Sequence, residues 1–311
     1  MPNVTVSELI WDGPQCVGIK TNSDDDILYA DVIILAEGAN AVLAEKEGLK
    51  NVPSAEQMSI AVKEIISLPQ EVIEDRFCIS NNNGVAIEYF GDAVKGMFGS
   101  GFIYTNKDSI SVGVGCLLSE IQAKKIRPHE LIEHFKSHSS VSCLVRGGKT
   151  EEYCAHLIPE AGYHGLPQYL VDNGVILVGD CAGLINASFF HEGSNLSMAS
   201  GLMAAETVIE AKKEQDFSRK KLNLYIKKLN NSFVIKDLIK FRKFYLLGEK
   251  HPELFSEFPD YFAELVTDYF QVSETPKEEI EKIVVEKFNQ KIGTGKFINK
   301  AFDLANIMNW I

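Results

Sequence analysis

The chain has 311 residues, of which 45% are apolar and 24% charged, and its net charge is −12. Those values suit a globular protein of one large domain or two interleaved ones at roughly 100–200 residues each, and they exclude collagen-like, low-complexity and disulfide-framework chains. The acidic balance repels phosphate backbones, so nucleic acid is not an expected partner, and no apolar run approaches the roughly 18–20 residues of a membrane span.

In chain order, residues 3–35 read as a β-meander. Val4, Val6 and Leu9-Ile10-Trp11 make a first run, and Asp12-Gly13-Pro14 signals a turn. Cys16 to Ile19 is a second run, and Asn22 to Asp26 is a polar turn with the solvated acids Asp24, Asp25 and Asp26. The segment Ile27 to Ala36 ends in a continuous apolar run, the pattern of a strand buried on both faces. A short helical stretch follows from Ala41 to Gly48. Between Val52 and Ala161 short β-like runs recur at Ser59–Ile66, Val85–Phe90, Met97–Thr105 and Ser109–Leu118, which predicts an antiparallel sheet. One helix interrupts it, started by Pro128 and carrying Leu131, Ile132 and Phe135 on one face. Parallel-sheet texture returns at Val175-Ile176-Leu177-Val178. A long helix begins near Ser194-Asn195, either of which suits an N-cap. Residues 216–311 read as helices, with nine aromatics between Phe241 and Phe270.

Three segments carry candidate chemistry. Val175 to Val178 runs into Gly179-Asp180-Cys181-Ala182-Gly183, where glycines let the backbone approach a ligand and the acid can accept hydrogen bonds from a polyol. The helix after Gly193 presents backbone N–H groups and a positive dipole end at Ser194, Asn195 and Leu196, suited to negative charge. Ala36-Glu37-Gly38 closes the earlier strand in the same manner. Each segment alone is equally served by a structural role, as a ligand-free turn or a helix cap.

Together they resemble the glutathione-reductase-type FAD fold. More closely they resemble the branch containing electron-transfer-flavoprotein:quinone oxidoreductases and geranylgeranyl reductases, and within it the FixC-type dehydrogenases. Asp31 to Leu49, Gly101 to Asp108, Gly147 to Gly162 and Gly179 to Glu206 carry the resemblance, which spans nearly the whole chain. It implies an α/β FAD-binding domain made of 1–50 and 166–215, an inserted antiparallel substrate domain at 51–165, and a helical C-terminal region at 216–311. It implies FAD as cofactor. Gly179, Asp180 and Gly183 fall at the ribityl chain, Ser194, Asn195 and Leu196 at the flavin pyrimidine edge, and Ala36, Glu37 and Gly38 near the nucleotide half. The implied activity passes electrons from an electron-transfer flavoprotein to quinone or to a ferredoxin-like partner. The implied location is cytoplasmic, or peripheral at the inner face of the membrane.

Two departures stand against the resemblance. The family opens with a strand, a G-x-G-x-x-G turn and a helix that hold the pyrophosphate. Gly96 to Gly101, Gly99-x-Gly101, Gly113-x-Gly115 and Gly293-x-Gly295 all fail that spacing. The chain is therefore expected to lack the first βαβ unit, at least roughly 30 residues. Mitochondrial relatives carry a cysteine-ligated cluster in their tail, whereas no cysteine follows Cys181 here. The six cysteines (Cys16, Cys78, Cys116, Cys143, Cys154 and Cys181) show no C-x-x-C spacing, and no metal is expected. Two alternatives stay open. One is a prenyl reductase that saturates isoprenoid double bonds. The other is a non-catalytic fragment or docking module that holds FAD poorly by itself. His191 and Glu192 before the long helix have a structural reading and a substrate-protonating one. The aromatics at 241–270 are read as packed core, quinone tunnel or membrane-resting surface.

Overall fold

A computed structural model describes residues 2–22, 26–80 and 83–309, so Asp24 and Asp25 of the polar turn lie outside the described residues. The chain divides into two compact units, Met1–Met58 with Leu157–Phe244, and Ser59–His156 with Tyr245–Ile311.

The first unit opens with β1 (Val6–Asp12), β2 (Gln15–Thr21) and β3 (Ile27–Tyr29), an antiparallel meander. Next come β4 (Ile33–Leu35) and α1 (Val42–Lys46). The run from Ile27 to Ala36 is thus two strands, not one. Ala30 to Val32 interrupt it, because β3 pairs with β2 whereas β4 joins another sheet.

The second unit holds β5 (Met58–Ser67), α2 (Gln70–Phe77), β6 (Ala86–Tyr89), β7 (Gly99–Thr105), β8 (Ser109–Leu117), α3 (Leu118–Lys124), α4 (Pro128–Ser137), α5 (Ser139–Val145) and β9 (Lys149–Pro159). Its sheet runs in the order β6-β7-β8-β5-β9. The expected single helix is α4, and three more accompany it. Those three are seven or eight residues long, too short for a helical period to show in sequence. Val62, Ile66, Ile103, Val112 and Val114 build a core with Ile73, Ile132 and Phe135. Glu64 lies between Val62 and Ile66 on the same face of β5 and is buried with them. Its Oε2 accepts from Lys136 Nζ and from Thr150 Oγ1, both at 2.9 Å, and Lys136 also meets Glu133 at 2.7 Å.

The chain returns to the first unit with β10 (Val171–Asp172), β11 (Val175–Leu177), α6 (Ser194–Glu214), α7 (Arg219–Asn231) and α8 (Phe233–Lys240). β11 runs parallel to β4, with Val175 opposite Ile33 and Leu177 opposite Leu35, and antiparallel to β10. The β4 strand is not covered on both faces. Leu35 is buried, but β4 lies at the sheet edge and Ile34 is 40% exposed. Leu35, Leu177, Leu196, Ala204, Leu222 and Tyr225 share one core. There the Tyr225 hydroxyl donates to the Leu177 carbonyl at 3.0 Å.

The second unit ends with α9 (Leu246–Lys250), α10 (Glu257–Phe270), α11 (Lys277–Lys291) and α12 (Thr294–Ile307). The aromatic cluster splits: Phe244, Phe255 and Tyr261 are buried, whereas Tyr245, Phe262, Tyr269 and Phe270 are exposed. Among the described residues, no helix is long and apolar enough to cross a membrane.

Candidate functional site

Parallel pairing of β4 and β11 brings two of the sequence-predicted segments to one place. Both strands end at the same edge, so Ala36-Glu37-Gly38 and Gly179-Asp180 leave the sheet side by side although about 140 residues separate them. Crevices beyond the carboxyl ends of such strands are where α/β sheets bind ligands.

The turn after β11 is held tightly. Gly179 and Gly183 adopt φ of +59° and +71°, the left-handed region that disfavours a side chain. A Cβ on Gly179 would sit 2.9 Å from Ser197 Oγ, and one on Gly183 2.9 Å from the Gly165 carbonyl. The Gly179 N–H donates to Ser200 Oγ at 3.0 Å, and Ser200 Oγ donates to the Ser197 carbonyl at 2.8 Å. Ser197 Oγ donates to Asp180 Oδ1 at 3.2 Å. Asp180 is half-buried, and its Oδ2 has no protein partner among the described residues. That oxygen is free to accept from a ligand hydroxyl.

Glu37 is committed differently. Its Oε2 accepts from the Leu43 N–H at 2.6 Å and its Oε1 from the Ala44 N–H at 3.0 Å. The carboxylate therefore satisfies the N-terminus of α1, where negative charge is favoured. What Ala36, Glu37 and Gly38 can offer a ligand is backbone. Cys181 Sγ lies 3.9 Å from Glu37 Oε1, and burial, reinforced by the Glu37 charge, pushes its thiol up to about 11.

The third segment is the start of α6. Gly193 is its N-cap residue, and no side chain caps the helix. Neither Ser194 nor Asn195 serves as the cap, contrary to expectation. Both are already helical, and the Asn195 amide is spent on Glu192 Oε1 at 2.8 Å. Glu192 Oε2 also accepts from the buried Asn186 at 2.9 Å, while the Asn186 and Glu192 backbones bridge each other. Glu192 thereby braces the entry loop, and His191 bends it with φ of +44°. The N–H groups of Ser194, Asn195 and Leu196 are left at the positive end of a 21-residue helix without a side-chain acceptor.

Sequence reasoning missed Lys50, Ser197 and Ser200. The serines sit at i and i+3 on α6, a spacing that puts them on one face but says nothing of what that face meets. Lys50 follows a glycine turn and reads as a solvated lysine, yet it is only 6% exposed.

Comparison with known proteins bears on this arrangement. Residues 245–309 match the ETF-QO/FixC family C-terminal domain. The chain is 40% identical over 304 residues to Protein FixC of Bradyrhizobium diazoefficiens, covering 97% of this chain and 69% of that protein. The chain belongs to the ETF-QO/FixC family. It is also 39% identical to the probable electron transfer flavoprotein-quinone oxidoreductase YdiS of Escherichia coli, over 92% of this chain and 66% of that one. It spans 66% to 70% of the length of the FixC relatives from Azorhizobium caulinodans, Bradyrhizobium diazoefficiens and Rhizobium meliloti. In fold it resembles a geranylgeranyl bacteriochlorophyll reductase-like protein from Thermoplasma acidophilum, with a TM-score of 0.66 at 19% identity over 97% of this chain and 69% of that one. It also resembles a triple mutant of the flavin-dependent brominase Bmp2, with a TM-score of 0.60 at 15% identity over 97% of this chain and 70% of that one. The family is one of oxidoreductases, and the fold is one that flavin-dependent enzymes use.

The geometry suits a flavin dinucleotide on two counts. Asp180 has an unpartnered carboxylate oxygen for a hydroxylated chain, and α6 has uncapped N–H donors for an electron-rich ring edge.

Proposed function

We propose that the chain is an FAD-dependent oxidoreductase that passes electrons from an electron-transfer flavoprotein to quinone or to a ferredoxin-like partner. Its similarity to Protein FixC and to the probable electron transfer flavoprotein-quinone oxidoreductase YdiS over more than nine tenths of the chain carries this reading. FAD, when bound, supplies the redox chemistry, and the protein supplies position and electrostatics. Gly179, Asp180 and Gly183 bind the ribityl chain, with Asp180 Oδ2 accepting from its hydroxyls. Ser194, Asn195 and Leu196 direct N–H groups and the α6 dipole at the pyrimidine edge, where negative charge develops on reduction. Ala36, Glu37 and Gly38 contribute backbone near the nucleotide half. The exposed Phe262, Tyr269 and Phe270 of α10 are the surface for peripheral membrane contact. The prenyl-reductase reading rests on likeness of fold at 19% identity and on nothing more specific.

The test begins with the visible spectrum of the purified chain, alone and after incubation with FAD. The expected result is a protein-bound flavin band that bleaches with reduced electron-transfer flavoprotein and returns with a quinone. A protein that stays colourless after FAD is added overturns the cofactor assignment. Bound flavin that a reduced electron-transfer flavoprotein leaves oxidised overturns the donor.

A further inference from the structure

Lys50 is a buried cation with too few partners. Its residue is 6% exposed, and its Nζ donates to one acceptor, the Asp180 carbonyl, at 3.4 Å. An ammonium carries three N–H donors. The other two have no protein acceptor among the described residues, and no carboxylate lies within ion-pair distance. Burying a charge without a counter-charge is costly, so a fold keeps one only where something repays it. Here the cation touches the turn that carries Asp180, and its charge reaches Cys181 in that same turn. Two acids belong to that turn's surroundings: Asp180 carries a carboxylate on the turn itself, and Glu37 Oε1 lies 3.9 Å from Cys181 Sγ. Without Lys50 the turn would set those negative charges against a diphosphate-bearing ligand in a chain whose net charge is already −12.

We propose that Lys50 is the positioning residue of the cofactor site: it pins the 179–183 turn through the Asp180 carbonyl, and its buried charge offsets the acids there so that an anionic dinucleotide can bind. This rests on the FAD reading above.

The experiment compares wild type, Lys50→Met and Lys50→Gln by FAD titration and by thermal melting of the FAD-free protein. Met keeps the volume and loses the charge. Gln keeps a donor for the Asp180 carbonyl and also loses the charge. Both variants are expected to weaken FAD binding about tenfold or more. Their FAD-free melting temperatures are expected to equal or exceed that of wild type, because a lone buried charge has been removed. FAD affinity unchanged in both variants overturns the proposal. Affinity restored fully by Gln leaves the pin but overturns the role of the charge. A matching fall in FAD-free melting temperature and in affinity shows a purely structural lysine and also overturns it. Failure of the wild type to bind FAD strikes the cofactor reading itself, and so is distinguishable from these.

Discussion

Among the described residues, the half-buried Lys136 and the buried Lys50 each sit beside a carboxylate-bearing element, and they differ in how the charge is answered. In the five-stranded sheet, Lys136 meets Glu64 and Glu133, and Glu64 also accepts from Thr150. Burial alone would pull the Lys136 ammonium down, but its hydrogen bonds to Glu133 and Glu64 outweigh that and hold it above the usual range. Beyond β11, Lys50 has one backbone carbonyl. The first arrangement is closed and reads as structure. The second has donor capacity left over and sits where two strand ends and a helix start converge, which is why we propose it as part of the cofactor site.

The comparison breaks most visibly at the closed pair. Lys136→Met leaves Glu64 buried without its cation and should cost about 3–5 kcal/mol in urea unfolding. The same change at Lys50 should cost nothing in the FAD-free protein. A loss under about 1 kcal/mol at Lys136 would erase the contrast.

Next in size is pH. Burial, reinforced by the Glu37 charge, pushes the Cys181 thiol from its ordinary 9.0 up to about 11. The unfolded chain therefore loses this proton first as pH rises, so the stabilisation is intact below pH 9 and is lost between about pH 9 and 11, by about 2–3 kcal/mol. In Cys181→Ala that part of the alkaline slope should vanish. An identical slope in both proteins would mean that the turn is wetter than its geometry implies.

Gly179→Ala forces a side chain into φ of +59° with Ser197 Oγ in its way. We expect about 1–2 kcal/mol of destabilisation, together with a larger loss of FAD affinity than the stability change explains. Equal losses would make the turn a packing element only. Smallest is Tyr225→Phe, which removes the hydrogen bond to the Leu177 carbonyl at the base of the site. It should cost about 1 kcal/mol by thermal melting and leave FAD affinity unchanged. A drop in affinity would extend the site down into the core.

Much of this was legible before any fold was known. Strand, glycine and acid in Val175 to Asp180 mark a backbone turn that offers a carboxylate, because each property is local. The meander, the four main runs of the antiparallel sheet and helix α4 announced themselves by alternation, turn residues and helical spacing. The run Ile27 to Ala36 misled because continuous apolarity does not reveal that a chain changes sheets in the middle. The cap assigned to Ser194 or Asn195 misled because both residue types suit that position, and only the bond from Asn195 to Glu192 shows the amide engaged elsewhere.

By itself, then, the sequence determined the short-range chemistry: which turns could carry glycine and an acid, which helix could open on free N–H groups, and which family these segments resemble. Tertiary structure alone decided who meets whom. The pairing of β4 with β11 joins Glu37 to Cys181, the rotation of α6 sets Ser197 and Ser200 on the Asp180 turn, and the path after α1 buries Lys50 beneath it. Those contacts bridge up to 144 residues of chain, and neither propensity nor periodicity carries information over that distance.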